Sequence, residues 1–368
     1  MKMENQNLNI PQVTVQEVVD ILSLLYSDAI KKQISFKRII TPFLWGPAGV
    51  GKSQAVRQIA QEIEKRTDKK AQVIDVRLLL FNPIDLRGIP TINEDKTLAV
   101  WLKPQIFKMD ENPDTVNILF LDELTAAPQS LQAAAYQICL DRKVGEHQLP
   151  DNCIVIAAGN RTTDQSVSYK MPKALCNRLM HFNVTTNYKA WLKWAMTNDI
   201  DNRIIGYLAF ADNKLCVEPE SSDLAYTTPR SWEHVNYLLK TIDTDIDTIL
   251  PLISGCVGID TAMEFKTWVK THNDLPAVED VLKGRNFKYP RTSDALLAFV
   301  SSLVSAIHSY REEISVTELE NACNYINKIP TDFAMMFYTD LNSIEEIRLK
   351  LMKCSASQEW YSKNKKFI

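Results

Sequence analysis

Gly46-Pro47-Ala48-Gly49-Val50-Gly51-Lys52-Ser53 is the stretch on which the fold of this chain turns. It has the form G-x-x-x-x-G-K-[ST], in which glycines let the backbone curl until successive N–H groups converge on a phosphate. Lys52 supplies a point charge for the β- and γ-phosphates, and the Ser53 hydroxyl can ligate Mg²⁺. Gln54 follows directly and is grouped with these eight residues as nucleotide-binding. The flanks agree. Ile39–Trp45 is an apolar run that predicts a buried strand, with Pro42 limiting where ladder bonds can form. Val56, Ile59, Ala60 and Ile63 fall at helical spacing beyond the loop. A helix beginning there turns the positive end of its dipole toward the anion. The chain has only 10 glycines in 368 residues, so their concentration here weighs against a chance Gly-rich turn.

Upstream, Thr14-Val15-Gln16-Glu17 has the form of a capping box, and Val18, Val19, Leu22 and Leu25 continue it with helical periodicity. A helix is predicted over about residues 15–32. Downstream, strands are predicted at 72–80, 116–121, 153–158 and 180–184, with a helix over 128–140 opened by Pro128. Residues 81–115 break the pattern with turn signals at Asn82-Pro83, Gly88-Ile89-Pro90, Asn93-Glu94-Asp95 and Asn112-Pro113, and 97–102 suit one strand of a small hairpin within an insertion at 81–104. Strands alternating with helices imply a parallel sheet covered on both faces. From about 187 the strand signals stop, and 188–197, 203–211, 231–241, 245–256, 292–310, 316–329 and 344–354 suit helices. The expected class is therefore α/β, a P-loop NTPase core with a five-stranded parallel sheet, followed by an extended all-α region.

A formal charge of −3, with 45% hydrophobic and 24% charged residues, is an ordinary globular balance. With a pI of about 6.0, it argues against a dedicated electrostatic nucleic-acid binder. The basic Lys363-Asn364-Lys365-Lys366 reads as a solvated terminus. No apolar run of about 18 residues is present to span a membrane. Met1–Asn7 lacks the apolar core of a signal peptide, so a cytoplasmic location is expected. The 7 cysteines are scattered without C-x-x-C spacing, which favours free thiols over a metal or disulfide framework.

The chemistry concentrates at predicted strand ends. The third strand runs into Asp122-Glu123, where one carboxylate can share Mg²⁺ with Ser53 and the next can orient and activate water. Asp122 is assigned to the metal and Glu123 to the water; two solvated acids at a strand end are the plainer alternative. Asn160 closes the following strand and emerges at the same carboxyl edge, where its amide can hold the water or the γ-phosphate, or simply make a Gly159-Asn160 turn. Phosphoryl transfer also needs a cation in cis or in trans, and Arg178 and Arg230 are the candidates.

As a set, Gly46–Ser53, Asp122-Glu123-Leu124-Thr125-Ala126-Ala127-Pro128, Ala158-Gly159-Asn160 and Ala174-Leu175-Cys176-Asn177-Arg178 resemble the AAA+ ATPases. Within them, Asp85-Leu86-Arg87-Gly88-Ile89-Pro90 and Pro229-Arg230-Ser231-Trp232 look like features of the MoxR/CbbQ-like branch. The resemblance spans roughly residues 35–245. It implies a homo-oligomer, a hexameric ring with ATP and Mg²⁺ between neighbours. Asn160 would then be sensor 1, Arg178 an arginine finger reaching the next subunit's ATP, and Arg230 sensor 2, with Arg142 and Arg161 as further candidates for contacts in trans. The domains expected are an N-terminal helix at 1–34, the core at 35–186, a helical lid at 187–245 and an extension at 246–368 that the family pattern leaves unaccounted for.

The leading expectation is an ATP hydrolase that remodels, matures or activates a protein client, one carrying a von Willebrand A-type domain. A nucleic-acid motor or loader and a nucleotide-gated scaffold are the alternatives. In such rings a hairpin insertion can touch clients, and an exposed Val100-Trp101 pair would suit that role; a tryptophan packed beneath the insertion is the competing expectation.

Overall fold

The computed structural model describes residues 9–364 apart from 162–163, 165–168, 170, 220–221, 272–275, 277, 286–288, 291, 310 and 312. The chain divides into two compact units, residues 1–186 and 187–368.

The first unit opens with β1 (Gln12–Thr14) and α1 (Val15–Lys31). The Thr14 hydroxyl accepts the Glu17 N–H at 3.2 Å while the Glu17 carboxylate accepts the Thr14 N–H at 2.7 Å, so the capping box of the sequence forms. β2 (Pro42–Trp45) starts at the proline and not at Ile39, because the first residue of a strand is where a missing N–H is tolerated. α2 (Lys52–Thr67) and β3 (Lys70–Arg77) follow. The insertion then supplies α3 (Pro83–Arg87) and the antiparallel hairpin of β4 (Ile89–Ile92) and β5 (Ala99–Leu102). Next come β6 (Thr115–Asp122), α4 (Gln129–Asp141), the short hairpin β7 (Lys143–Val144) and β8 (His147–Gln148), β9 (Cys153–Gly159), α5 (Lys173–Cys176) and β10 (Met180–Thr185).

The main sheet has six strands in the order β1-β10-β2-β9-β6-β3, all parallel. This corrects the expected five: β1 is only three residues long and carries no periodicity, yet it pairs in register with Asn183–Thr185 of β10. The buried runs of β6 and β9 explain why both faces are covered. Leu119, Leu121, Val155 and Ala157 share one core with Leu131, Ala135 and Ile138 of α4. Alternate residues point the other way, and there α2 packs on β3 and β6 while α1 lies against α2. Because every strand is parallel, the carboxyl ends of β2, β9 and β6 emerge side by side on one edge.

The second unit is helical in its described residues: α6 (Tyr188–Thr197), α7 (Asn202–Phe210), α8 (Pro229–Thr241), α9 (Ile246–Val257), α10 (Ile259–Thr271), α11 (Val278–Leu282), α12 (Ser293–Ser309), α13 (Val316–Ile326), α14 (Thr331–Asn342), α15 (Glu345–Leu351) and α16 (Ser355–Lys363). α10, α11, α14 and α16 were not anticipated, although Ala334, Phe337, Tyr338 and Leu341 of α14 form a helical stripe. One apolar core runs from Trp191 to Trp360 and includes Trp232, Phe265 and Phe299. None of the seven cysteines is joined in a disulfide, and no helix among the described residues is long and apolar enough to cross a membrane. Of the basic tail, Lys365 and Lys366 lie outside the described residues.

Within α12 the imidazole of His308 is pushed down to about 4, by burial first and by the Arg311 charge second, and neither ring nitrogen has a hydrogen-bond partner. Its folded value lies below the ordinary 6.5, so the unfolded chain takes up the proton more readily between these limits. Stability is unaffected above that window and falls as pH drops through it. His308→Phe should therefore lose less stability than the parent on acidification from pH 6.5 to about 4, as read by urea unfolding at each pH.

Candidate nucleotide-binding site

The loop after β2 is built on left-handed glycines. Gly46, Gly49 and Gly51 have φ of 152°, 82° and 103°, a region closed to most side chains. At Gly46 a Cβ would also lie 2.8 Å from the Val184 carbonyl oxygen. Gly51 then caps α2, whose first residue is Lys52, so the loop delivers a helix N-terminus to the place where a phosphate is expected.

Lys52 is only 7% exposed. Its Nζ donates to the carbonyls of Gly46 at 2.5 Å and Pro47 at 2.9 Å, and to Asn160 Oδ1 at 3.0 Å. Asn160 follows β9 directly, and its backbone carbonyl accepts the Thr125 hydroxyl at 2.9 Å. The fit there is close: a Cβ on Gly159 would lie 2.6 Å from Thr125 Oγ1 and 3.0 Å from the Phe43 ring.

Ser53 Oγ donates to Asp122 Oδ2 at 2.9 Å, and the Glu123 N–H donates to Asp122 Oδ1 at 2.8 Å. Both carboxylate oxygens of Asp122 are thus fixed. Glu123 is different. Its backbone is left-handed at φ 57°, a strained conformation for a non-glycine residue, and it turns the chain sharply at the end of β6. Its half-buried carboxylate has no hydrogen-bond or ion-pair partner among the described residues. One acid is held; the other is free to act. The Ser53–Asp122 pair offers a hard cation one hydroxyl and one carboxylate, the partial set that Mg²⁺ takes when phosphates and water supply its remaining ligands. Among the described residues no group of three or more His, Cys, Asp or Glu could hold a metal by itself. A metal that arrives with a nucleotide fits these residues.

The arginines separate by environment. Arg142 is 5% exposed and donates to the Ile39 carbonyl at 2.9 Å, so it is an internal strap and not a surface group for a neighbouring subunit. Arg161 is held within its own chain, with NH2 2.7 Å from Asp164 Oδ1 and its backbone N–H donating to the same carboxylate. Arg178 lies two residues beyond α5, exposed and without an ion pair among the described residues. Arg230, in the second unit, is exposed in the first turn of α8, whose N-cap Thr228 forms a capping box with Ser231.

In the insertion, Val100 and Trp101 are half-buried, and the Trp101 carbonyl is 2.8 Å from His147 Nε2. The exposed large apolar side chains of the insertion are instead Ile84, Ile89, Ile92, Leu98 and Leu102, at 57–68%.

Fold and site together define a P-loop nucleotide-binding core on a six-stranded parallel sheet. Residues 43–181 match the sequence profile of the ATPase family associated with various cellular activities (AAA), a segment containing the loop, Asp122-Glu123, Asn160 and Arg178. No curated protein gives a sequence match. Among solved structures the chain is similar to PCH-2 of C. elegans at 14% identity, covering 70% of this chain and 69% of that one with a TM-score of 0.35. It is similar to a point mutant of Thermotoga maritima RuvB at 15% identity, with coverage of 83% and 87% and a TM-score of 0.37. It is also similar to a candidate ATPase from Cytophaga hutchinsonii at 14% identity, with coverage of 90% and 98% and a TM-score of 0.32.

Sequence reasoning missed Asp75. On β3, one strand over from Asp122, its Oδ1 is buried without a hydrogen-bond partner. Burial first and the Asp122 charge second raise its carboxyl above the usual aspartate range, with Arg77 and Arg57 partly opposing. The signal was a lone acid inside Val73-Ile74-Asp75-Val76. Because the folded value is raised, ionised Asp75 opposes folding above it, and that penalty shrinks as pH falls toward the ordinary 3.8. Asp75→Asn should therefore melt higher than the parent at neutral pH, with the gain disappearing in scans run toward pH 3.8.

Proposed function

We propose that this chain is an ATP hydrolase that works as a homo-oligomeric ring, with each nucleotide bound by one copy and completed by Arg178 of the next. The observation that carries the proposal is the meeting of three strand ends: Lys52 on Asn160 at 3.0 Å and Ser53 on Asp122 at 2.9 Å. In this scheme Gly46–Ser53 and Gln54 take the phosphates, and Ser53 and Asp122 hold Mg²⁺, which offsets phosphate charge when bound. Glu123 removes a proton from the attacking water, and Asn160 orients that water or the γ-phosphate. The free carboxylate of Glu123 suits a base, whereas the doubly bonded Asp122 suits a fixed ligand.

The resemblance to the MoxR/CbbQ-like branch extends the proposal. It adds a hexameric, cytoplasmic ring, a lid over residues 187–245 carrying Arg230 as sensor 2, and a partner-docking extension at 246–368. It also adds remodelling of a protein client with a von Willebrand A-type domain. The exposed guanidinium of Arg178 supports its part in trans, where Arg142 and Arg161 are already engaged.

Lys52→Ala should weaken ATP binding by about 30-fold or more, since a buried, hydrogen-bonded cation is lost. Glu123→Gln should bind ATP normally and turn over about 10²–10⁴ times more slowly; titration of a fluorescent ATP analogue and phosphate release separate the two effects. Full hydrolysis by Glu123→Gln would refute its assigned role. For Arg178, mixed assemblies decide. Arg178→Ala subunits doped into parent protein should silence intact neighbours, with turnover at those sites falling about 10³-fold. Inhibition confined to the Arg178→Ala subunits themselves would rule out action in trans.

A further inference from the structure

Trp45, the last residue before Gly46, donates its Nε1–H to Nδ1 of His181 at 2.9 Å. On the other side of the ring, His181 Nε2 lies 2.7 Å from the Cys176 carbonyl. With Nδ1 accepting, the ring proton belongs on Nε2, and Nε2–H donates to that carbonyl. Cys176 ends α5, and the same carbonyl accepts the Leu179 N–H at 3.4 Å. Arg178 stands inside the turn so pinned. The rings of Phe43, Trp45 and His181 also cluster, with centroids 4.6–6.0 Å apart, on the adjacent strands β2 and β10. A single imidazole therefore joins the residue leading into the phosphate loop to the turn that presents the exposed arginine.

We propose that His181 is a positioning residue that couples the nucleotide site of one copy to the guanidinium this copy offers its neighbour. The coupling rests on the proposal that Arg178 acts in trans. An imidazole bonded at both nitrogens has little slack. When the loop moves with its phosphates, Trp45 carries the ring with it, and the ring either carries the Cys176 carbonyl or loses a hydrogen bond. Arg178 is thereby set by what its own subunit holds, and hydrolysis at one interface depends on occupancy at the site behind it.

The test uses the full chain with Mg²⁺ and ATP, comparing His181→Phe, His181→Gln, Arg178→Lys and the His181→Phe/Arg178→Lys double variant. Phenylalanine keeps the ring packing and removes both hydrogen bonds, whereas glutamine can accept with Oε1 and donate with Nε2. His181→Phe should bind a fluorescent ATP analogue within about twofold of the parent, yet lose about 10- to 100-fold in kcat, the scale expected for a misplaced reacting group. His181→Gln should recover most of that loss. The double variant should turn over no more slowly than Arg178→Lys alone, because the histidine acts through the arginine. Parental kcat in His181→Phe, or losses that multiply in the double variant, overturns the coupling. So does a His181→Phe loss that appears only as a lower melting temperature with unchanged kcat per folded chain. Should Arg178→Lys itself keep full turnover, the part given to Arg178 fails and the coupling fails with it. Impaired Arg178→Lys beside unimpaired His181→Phe defeats the coupling alone.

Discussion

A buried ammonium sets the terms for this structure. Lys52 is 7% exposed, and a charge so far from water is costly unless oxygen atoms surround it. Two of the oxygens come from its own loop and one from Asn160 at the end of a different strand. That requirement fixes geometry. The ends of β2 and β9 must emerge together, which parallel neighbours in register do and antiparallel ones would not. β6 lies beyond β9 in the same direction and delivers Asp122 and Glu123 to the same edge. The site is a consequence of the sheet, and the sheet is covered on both faces because helices connect its strands.

Around the cation, the carboxylates differ by environment more than by kind. Asp122 is bonded at both oxygens, Glu123 is left open on a strained backbone, and Asp75 is held next to Asp122 with one oxygen unpaired. Strain and desolvation of this sort oppose folding. They persist because the buried strands and the helices packed on them hold the backbone in place. Their gathering at one edge of the sheet is the pattern of a site kept for chemistry and not for stability.

Much of this was legible in the residues. The loop, the apolar strands at 116–121 and 153–158 and the acids behind the first of them announce themselves through local patterns that need no partner to be read. The short β1 did not, because three residues carry no period and its strand character comes wholly from pairing with β10. The insertion was half legible. Its hairpin followed from turn residues, but which side chains face outward depended on the register, which half-buries Val100 and Trp101 and leaves Ile89, Ile92, Leu98 and Leu102 exposed. In the helical unit, α14 carried a readable stripe that went unread.

By itself, the sequence determined a phosphate loop between strand and helix, an alternating α/β half and a helical half, because each rests on spacing within a few residues of the chain. Only the tertiary structure decided which arginines stay free, that Asp75 presses on Asp122, and that Trp45 meets His181 across 136 residues. Burial and charge proximity are properties of neighbours in space, and no local pattern encodes a neighbour so distant along the chain.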